Sequence, residues 1–435
     1  MSYIKSLFVI LLALILSASL SAQNNIKIIH AGSLLAIPGE KPLSNQTVVI
    51  RNGAIESVHS GFKSSTELGF DDAKVTDLKD KFVMPGFIDM HTHLTGERDP
   101  DANPHEWTTM NEQDLAFKSL PYLERTLHAG FTTVRNLGAD AELIGAIQRA
   151  TAKGLIAGPR IIYSGGAISA TGGHGDSHGY RTEILELDEN VGICDGADDC
   201  RRAVRARVKQ GAGVIKITAT GGVLSNTAAG LSQQLTDEEM KSIVEAANSL
   251  GRKVAAHAHA ADGINAALRA GVSSIDHGSY LDDESVKLFL ENDAWLVPTL
   301  LAGISVQDEL SVNDQIPPAI VDKINTVVPV VEASFKRALK GGVKIAFGTD
   351  SGVSKHGENA REFEIMVDYG MSESHAIKTA TLNAAELLGL KDQIGSIENG
   401  KSADIIAVDK NPLEDISELK NITFVMKSGI IYKMK

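Results

Sequence analysis

Two histidines, His91 and His93, close the apolar run Gly86-Phe87-Ile88-Asp89-Met90-His91-Thr92-His93. Residues two apart on a strand point to the same side, so two imidazoles here can share one cation. Alone, a His-x-His pair is as readily a packing feature as a ligand pair. Further short apolar runs also end in metal-capable groups: Val214-Ile215-Lys216-Ile217, the run into His257-Ala258-His259, Asp276-His277-Gly278 and Gly348-Thr349-Asp350. Each could be structural by itself; together on successive strand ends they point to a metal centre. Histidine and carboxylate are nitrogen and oxygen ligands that suit zinc, with manganese as a rival. Lys216 has two readings, because an ammonium in an apolar run is costly unless paired or modified. It is either salt-bridged to a buried acid or carbamylated by carbon dioxide into a carboxylate that bridges two cations. His356, in His356-Gly357-Glu358-Asn359 after the last strand, is a candidate substrate contact, with a solvated loop as the alternative.

The elements that must position these groups alternate. A helical run closes on glycine and a short apolar strand follows, as at Gly130, Gly213, Gly251, Gly271 and Gly342. Thr236 with Glu239 forms a capping box, and Met240, Ile243, Val244 and Ala247 line one face of the helix it starts. About eight strand candidates spread over roughly 300 residues predict a (β/α)8 TIM barrel, whose catalytic groups sit at the C-terminal strand ends. Those candidates include Phe87 to His91, Arg160 to Ser164 and Trp295 to Leu300. An open doubly wound sheet is the rival, but no Gly-x-Gly-x-x-Gly follows the first strand. Both ends of the chain are β-rich, with hairpin turns at Asn52-Gly53 and Ser428-Gly429. This predicts a small β-sandwich built from both termini: residues 23–84 and 391–435 around a barrel at 85–390.

The 435 residues, 43% hydrophobic and 22% charged, are globular in composition and long enough for both modules. A net charge of −13 argues against nucleic acid as a partner. Residues 1–22 read as a signal peptide: Lys5, an apolar run from Leu7 to Leu16 too short to span a bilayer, then small residues. Cleavage after Ala22 or Ser21 is expected, with a retained anchor as the alternative. The mature chain is expected to be periplasmic or secreted, without membrane association. Cys194 and Cys200 fit a small loop-closing disulfide in an oxidising compartment, or else free thiols.

The segment Val83-Met84-Pro85-Gly86-Phe87-Ile88-Asp89-Met90-His91-Thr92-His93 resembles the opening signature of the amidohydrolase superfamily. The likeness continues through Gly130 to Gly138, Thr171-Gly172-Gly173-His174-Gly175-Asp176, Val214-Ile215-Lys216-Ile217 with Thr220-Gly221-Gly222, and Gly395 to Lys401 with Ala403-Asp404. It covers nearly the whole mature chain. The branch it most resembles is the exported Xaa-Pro or Xaa-Arg dipeptidase and carboxypeptidase-like group. That resemblance implies two divalent cations, zinc before others. His91 and His93 would hold the more buried ion with Asp350. Carbamylated Lys216 would bridge, and His257 and His277 would hold the second ion. His259 would sit near substrate, and His174 would steady the developing oxyanion. A metal-bridging hydroxide would attack the carbonyl, with Asp350 carrying its proton to the leaving amine or acting as a ligand alone. Some peptidase relatives read the substrate carboxylate with a tyrosine where this chain has Ala256, which leaves that mode open.

The expected activity is hydrolysis of the amide in a dipeptide or N-acyl amino acid. Alternatives are another C–N substrate, either an aryl-acyl amino acid such as ochratoxin or a cyclic amide, and a non-catalytic metal-binding protein. Lys216 argues against the cyclic-amide hydrolase imidazolonepropionase, whose relatives use one metal and lack a bridging lysine. Homo-oligomerisation is left open by the sequence.

Overall fold

Strands from both ends of the chain meet in one sheet. The computed structural model describes residues 25–99, 106–185, 192–227, 229–313 and 316–435. The expected signal peptide lies outside them. The N-terminal strands are β1 (Ile26–Leu34), β2 (Leu43–Arg51), β3 (Ala54–Ser60) and β4 (Lys74–Pro85). The C-terminal ones are β13 (Ile405–Val408), β14 (Phe424–Lys427) and β15 (Ile430–Met434). They form a single seven-stranded sheet in the order β15-β14-β13-β4-β1-β2-β3, where two stacked sheets had been expected. β4 makes the join, because its 12 residues are long enough to pair with β1 on one side and β13 on the other. One face encloses its own apolar cluster, from Ile29, Val48 and Ile50 to Ile405, Phe424 and Met426. The other face sends Ile406, Val408 and Val425 into the main core beside Phe87 and Phe131. The hairpins turn where expected: Asn52, Gly53, Ser428 and Gly429 all have positive φ.

The middle of the chain is a TIM-barrel-like α/β fold. Its strands are β5 (Phe87–Thr92), β6 (Phe131–Asn136), β7 (Arg160–Tyr163), β8 (Ile215–Thr218), β9 (Val254–Ala258), β10 (Ser274–His277), β11 (Trp295–Val297) and β12 (Lys344–Ile345). Every pairing among them is parallel, β5-β6-β7 in one sheet and β8 to β12 in another. Backbone hydrogen bonds also link β8 to the segment after β7, and β5 to the segment after β12. In the first link, Ile168 N–H donates to Lys216 (2.8 Å) and Thr218 N–H to Ile168 (3.0 Å); in the second, Met90 N–H donates to Phe347 (2.9 Å). A helix follows each of these strands, for example Asp237–Ser249 after β8, whose Thr236–Glu239 capping box is formed. Met240, Ile243, Val244 and Ala247 are its buried face.

The strand expected over Trp295 to Leu300 stops at Val297. Pro298 has no N–H for the ladder, Thr299 turns left-handed at φ 48°, and Leu300 already starts the helix Leu300–Leu310. The longer helix Pro318–Lys340 follows. No helix of the described residues is long and apolar enough to cross a membrane.

Cys194 and Cys200 form a disulfide at the start of helix Ala197–Lys209, buried against the helix Asp237–Ser249. Closing so short a loop stabilises a fold by about 2 kcal/mol on the chain-entropy account. Replacing both cysteines with alanine is therefore expected to lower Tm by a few degrees in a thermal scan; an unchanged Tm would show that the bond contributes nothing.

Candidate active site

The strand ends converge on one cavity of about 490 Å³ whose lining includes His91, His93, His174, Lys216, His257, His259, His277 and Asp350. His91 lies on β5, Lys216 on β8, His257 on β9 and His277 on β10, while Asp350 follows β12. The structure thus brings together every sequence-predicted ligand. Asp350 Oδ1 is 3.0 Å from His93 Nε2 and 3.4 Å from His91 Nε2. The ring centroids of His257 and His277 are 4.6 Å apart, and the His174 ring lies tilted against His257 at 4.2 Å.

Two trios have donor atoms within 4.8 Å of one another: His91, His277 and Asp350, and His257, His259 and His277. Donors on one ion lie at most about 4.2 Å apart, so a short side-chain adjustment brings either trio onto a cation. His259 is therefore one of the possible ligands and not only a neighbour of substrate. Its ring stacks on His277 at 4.9 Å, and Nδ1 is held by Ser279 Oγ at 2.7 Å.

Burial lowers the pKa of these imidazoles: His91 and His259 to about 4, His174 to about 3, and His257 and His277 well below the usual value. They are neutral at pH 7, with lone pairs available to a cation. Asp350 is buried too, but the facing His91 and His93 rings outweigh burial and hold its carboxyl far below the usual range. Neither its Oδ1 nor His91 Nδ1 has a well-aligned hydrogen bond, although His93 Nε2 stands 3.0 Å from the first and Asp276 Oδ2 3.1 Å from the second. A buried carboxylate oxygen with no aligned donor, facing imidazole nitrogens, fits a divalent cation.

Lys216 Nζ lies 3.0 Å from Asp276 Oδ2, the salt-bridge alternative for this lysine. Asp276 was passed over in the sequence, though it directly precedes His277. It is wholly buried and takes Arg135 and Ser274 Oγ on its other oxygen, each at 3.1 Å. Burial pushes its carboxyl up, but Lys216 and Arg135 win and hold it well below the ordinary value. Lys216 itself is lowered by burial, against the pull of Asp276. Asp89, also missed, binds the other flank: it accepts from Thr349 Oγ1 (2.6 Å), Asn359 Nδ2 (2.8 Å) and the backbone N–H of His91 (3.0 Å).

His356 is a correction. Its ring is buried on Tyr122 at 5.0 Å, with Nε2 2.8 Å from the Gly96 carbonyl, and it does not line the cavity. Both the stacking and the hydrogen bond face it into the protein.

His174 is held by the loop after β8. Its Nδ1 is 2.6 Å from Ser225 Oγ, and a Cβ on Gly222 would fall 2.1 Å from its ring, so only glycine fits there. Lys323, on the helix Pro318–Lys340, donates to the carbonyls of Ser225 (2.8 Å) and Gly222 (3.2 Å). It is buried, and among the described residues it has no carboxylate partner.

These groups accompany a match of the amidohydrolase family profile to residues 82–431. The chain belongs to the amidohydrolase family. Within that family, ochratoxinase of Aspergillus niger is 33% identical over 432 residues, 94% of this chain and 87% of the relative. A solved Xaa-Pro dipeptidase with methionine bound in its active site superposes with a TM-score of 0.88 at 39% identity, covering 94% of this chain and 100% of the other. A prolidase complexed with N-methylphosphonate-L-proline gives 0.85 at 32%, covering 94% and 100%. The family match, together with these dipeptidase, prolidase and ochratoxinase relatives, supports an amide-bond hydrolase acting on C–N bonds.

Lys323→Met frees the loop that holds His174 without touching the cavity floor. With any accepted substrate it is expected to lower kcat by about tenfold or more while KM stays near its original value, and Lys323→Arg should restore most of the loss. Unchanged kcat in the methionine variant would remove Lys323 from the account.

Proposed function

We propose that the protein is a binuclear metal-dependent amidohydrolase that cleaves the amide bond of dipeptides or N-acyl amino acids outside the cytoplasm. The observation that carries this reading is the cluster of two donor trios that meet at His277, one of them including Asp350, at the floor of a dipeptide-sized cavity. The eight parallel strands are read as a closed (β/α)8 barrel, supported by the hydrogen bonds that link β8 to the segment after β7 and β5 to the segment after β12. Export is supported by the N-terminal apolar run and the disulfide.

In this reading His91, His93 and Asp350 hold one cation, and His257 and His277 the other, with His259 beside them. Zinc suits these donors. Lys216 in its carbamylated form would lie between the two. Carbamylation needs the neutral amine: Nζ loses one proton to free its lone pair and a second as the N–C bond to carbon dioxide forms, so two protons leave and a cation becomes an anion. Asp276 then keeps Arg135 at 3.1 Å as its counter-charge, and the clustered anions require positive charge among them. When bound, the cations supply a water acidic enough to react at neutral pH and polarise the scissile carbonyl.

The chain's own residues do the rest. Asp350 is ionised at neutral pH, so it can take a proton from water and deliver it to the leaving nitrogen. His174 is neutral. In the tautomer in which Ser225 Oγ donates to Nδ1, its Nε2–H can donate to the carbonyl oxygen as charge builds there. A second reading, hydrolysis of an aryl-acyl amino acid, shares this machinery and differs only in the acyl group. The 33% identity to ochratoxinase and the apolar upper wall of the cavity favour it.

A screen of Xaa-Pro and other dipeptides, N-acyl amino acids and aryl-acyl amino acids, read by amine release, tests the proposal. Turnover is expected in at least one class. Asp350→Asn should cut kcat by about 10²–10⁴ and His174→Ala by about 10²–10³. No turnover across the panel by metal-loaded protein would overturn the reading.

A further inference from the structure

The cavity has two ends of opposite character. Its floor carries the histidines. Its upper wall is made by the half-buried side chains of Val223, Leu224, Ile304, Val328 and Val353, from the loop after β8, the two helices after β11 and the loop after Asp350. Outside the floor, the lining carries one charged side chain among the described residues, Glu97. That carboxylate is already taken: Arg125 NH2 stands 2.8 Å away and the His356 backbone N–H 2.7 Å away. On the floor, Lys216 faces Asp276. Among the described residues, a charged substituent held against the upper wall would lose water and meet no free counter-charge there, whereas an apolar one gains by leaving water.

We infer that the substituent this chamber accepts is bulky, uncharged and apolar, aliphatic or aromatic, and that Val223, Leu224 and Val328 set the preference. This rests on the amide-hydrolase reading and narrows it: substrates carrying arginine or glutamate in the chamber are rejected. Lys323 and the Gly222–Ser225 loop connect the two ends, because the same loop that carries Val223 and Leu224 also holds His174. A group that fills the wall therefore presses on the segment that orients the oxyanion donor.

Two matched series test this with the metal-loaded enzyme, one varying the leaving residue and one the acyl residue among leucine, phenylalanine, arginine and glutamate. In at least one series kcat/KM is expected to be at least tenfold higher for leucine and phenylalanine than for either charged residue. Val328→Glu should shift that ratio toward arginine. Calorimetry with methylphosphonyl derivatives of the same amino acids gives a readout independent of turnover, and the apolar derivatives should bind at least tenfold tighter. A preference below tenfold in both series, or one for charged residues, overturns the inference while leaving the hydrolase reading standing. Absence of turnover in every member overturns that reading instead.

Discussion

The carboxylate of Asp276 is wholly buried, and four groups converge on it: Lys216 Nζ, the Arg135 guanidinium, His91 Nδ1 and Ser274 Oγ. These come from β5, β6, β8 and β10, so one anion ties together strands from both sheets of the barrel-like fold. A buried ion stripped of its partner costs several kcal/mol, which makes this junction hard to alter piecemeal. Two cations on one carboxylate also leave the junction with more positive than negative charge. That excess sits behind a site otherwise made of neutral imidazoles and the ionised Asp350. The arrangement suits conversion of Lys216 to an anion, since Arg135 remains to balance Asp276.

The backbone at the strand ends is correspondingly unusual. His277, Thr299 and Asp350 all have positive φ, at 76°, 48° and 59°. Such conformations cost on the order of 1–3 kcal/mol each for residues other than glycine. They end three neighbouring strands by turning the chain inward, so that His277 and Asp350 enter the cavity instead of continuing along the sheet. Specific bonds offset the cost: Thr299 Oγ1 meets His277 Nδ1 at 2.6 Å, and Asp89 fixes Thr349 beside Asp350. The site is therefore preorganised by the fold before any cation or substrate arrives.

The ligand candidates were legible because each closes a short apolar run, and the period-two geometry of a strand puts such ends on one rim. His356 looked the same in type but lies in a loop, where no period dictates direction, and it turned into the protein. Asp276 and Asp89 stood inside motifs already singled out, yet their roles depend on which strands are neighbours, which spacing alone does not give. The apolar wall was hidden for a related reason. Val223 and Val328 are far apart in sequence, and the stretch after Val297 reads as strand until Pro298 and Thr299 divert it into helix. At the chain ends the strands and both hairpins were readable, but the single sheet required knowing that β4 bridges β1 and β13.

The most direct measurement of the central claim is the metal content of the purified protein and of Lys216→Ala, by elemental analysis. About two divalent ions per chain, falling in the variant, is the result this account predicts. About one ion per chain, unchanged by loss of Lys216, would contradict it.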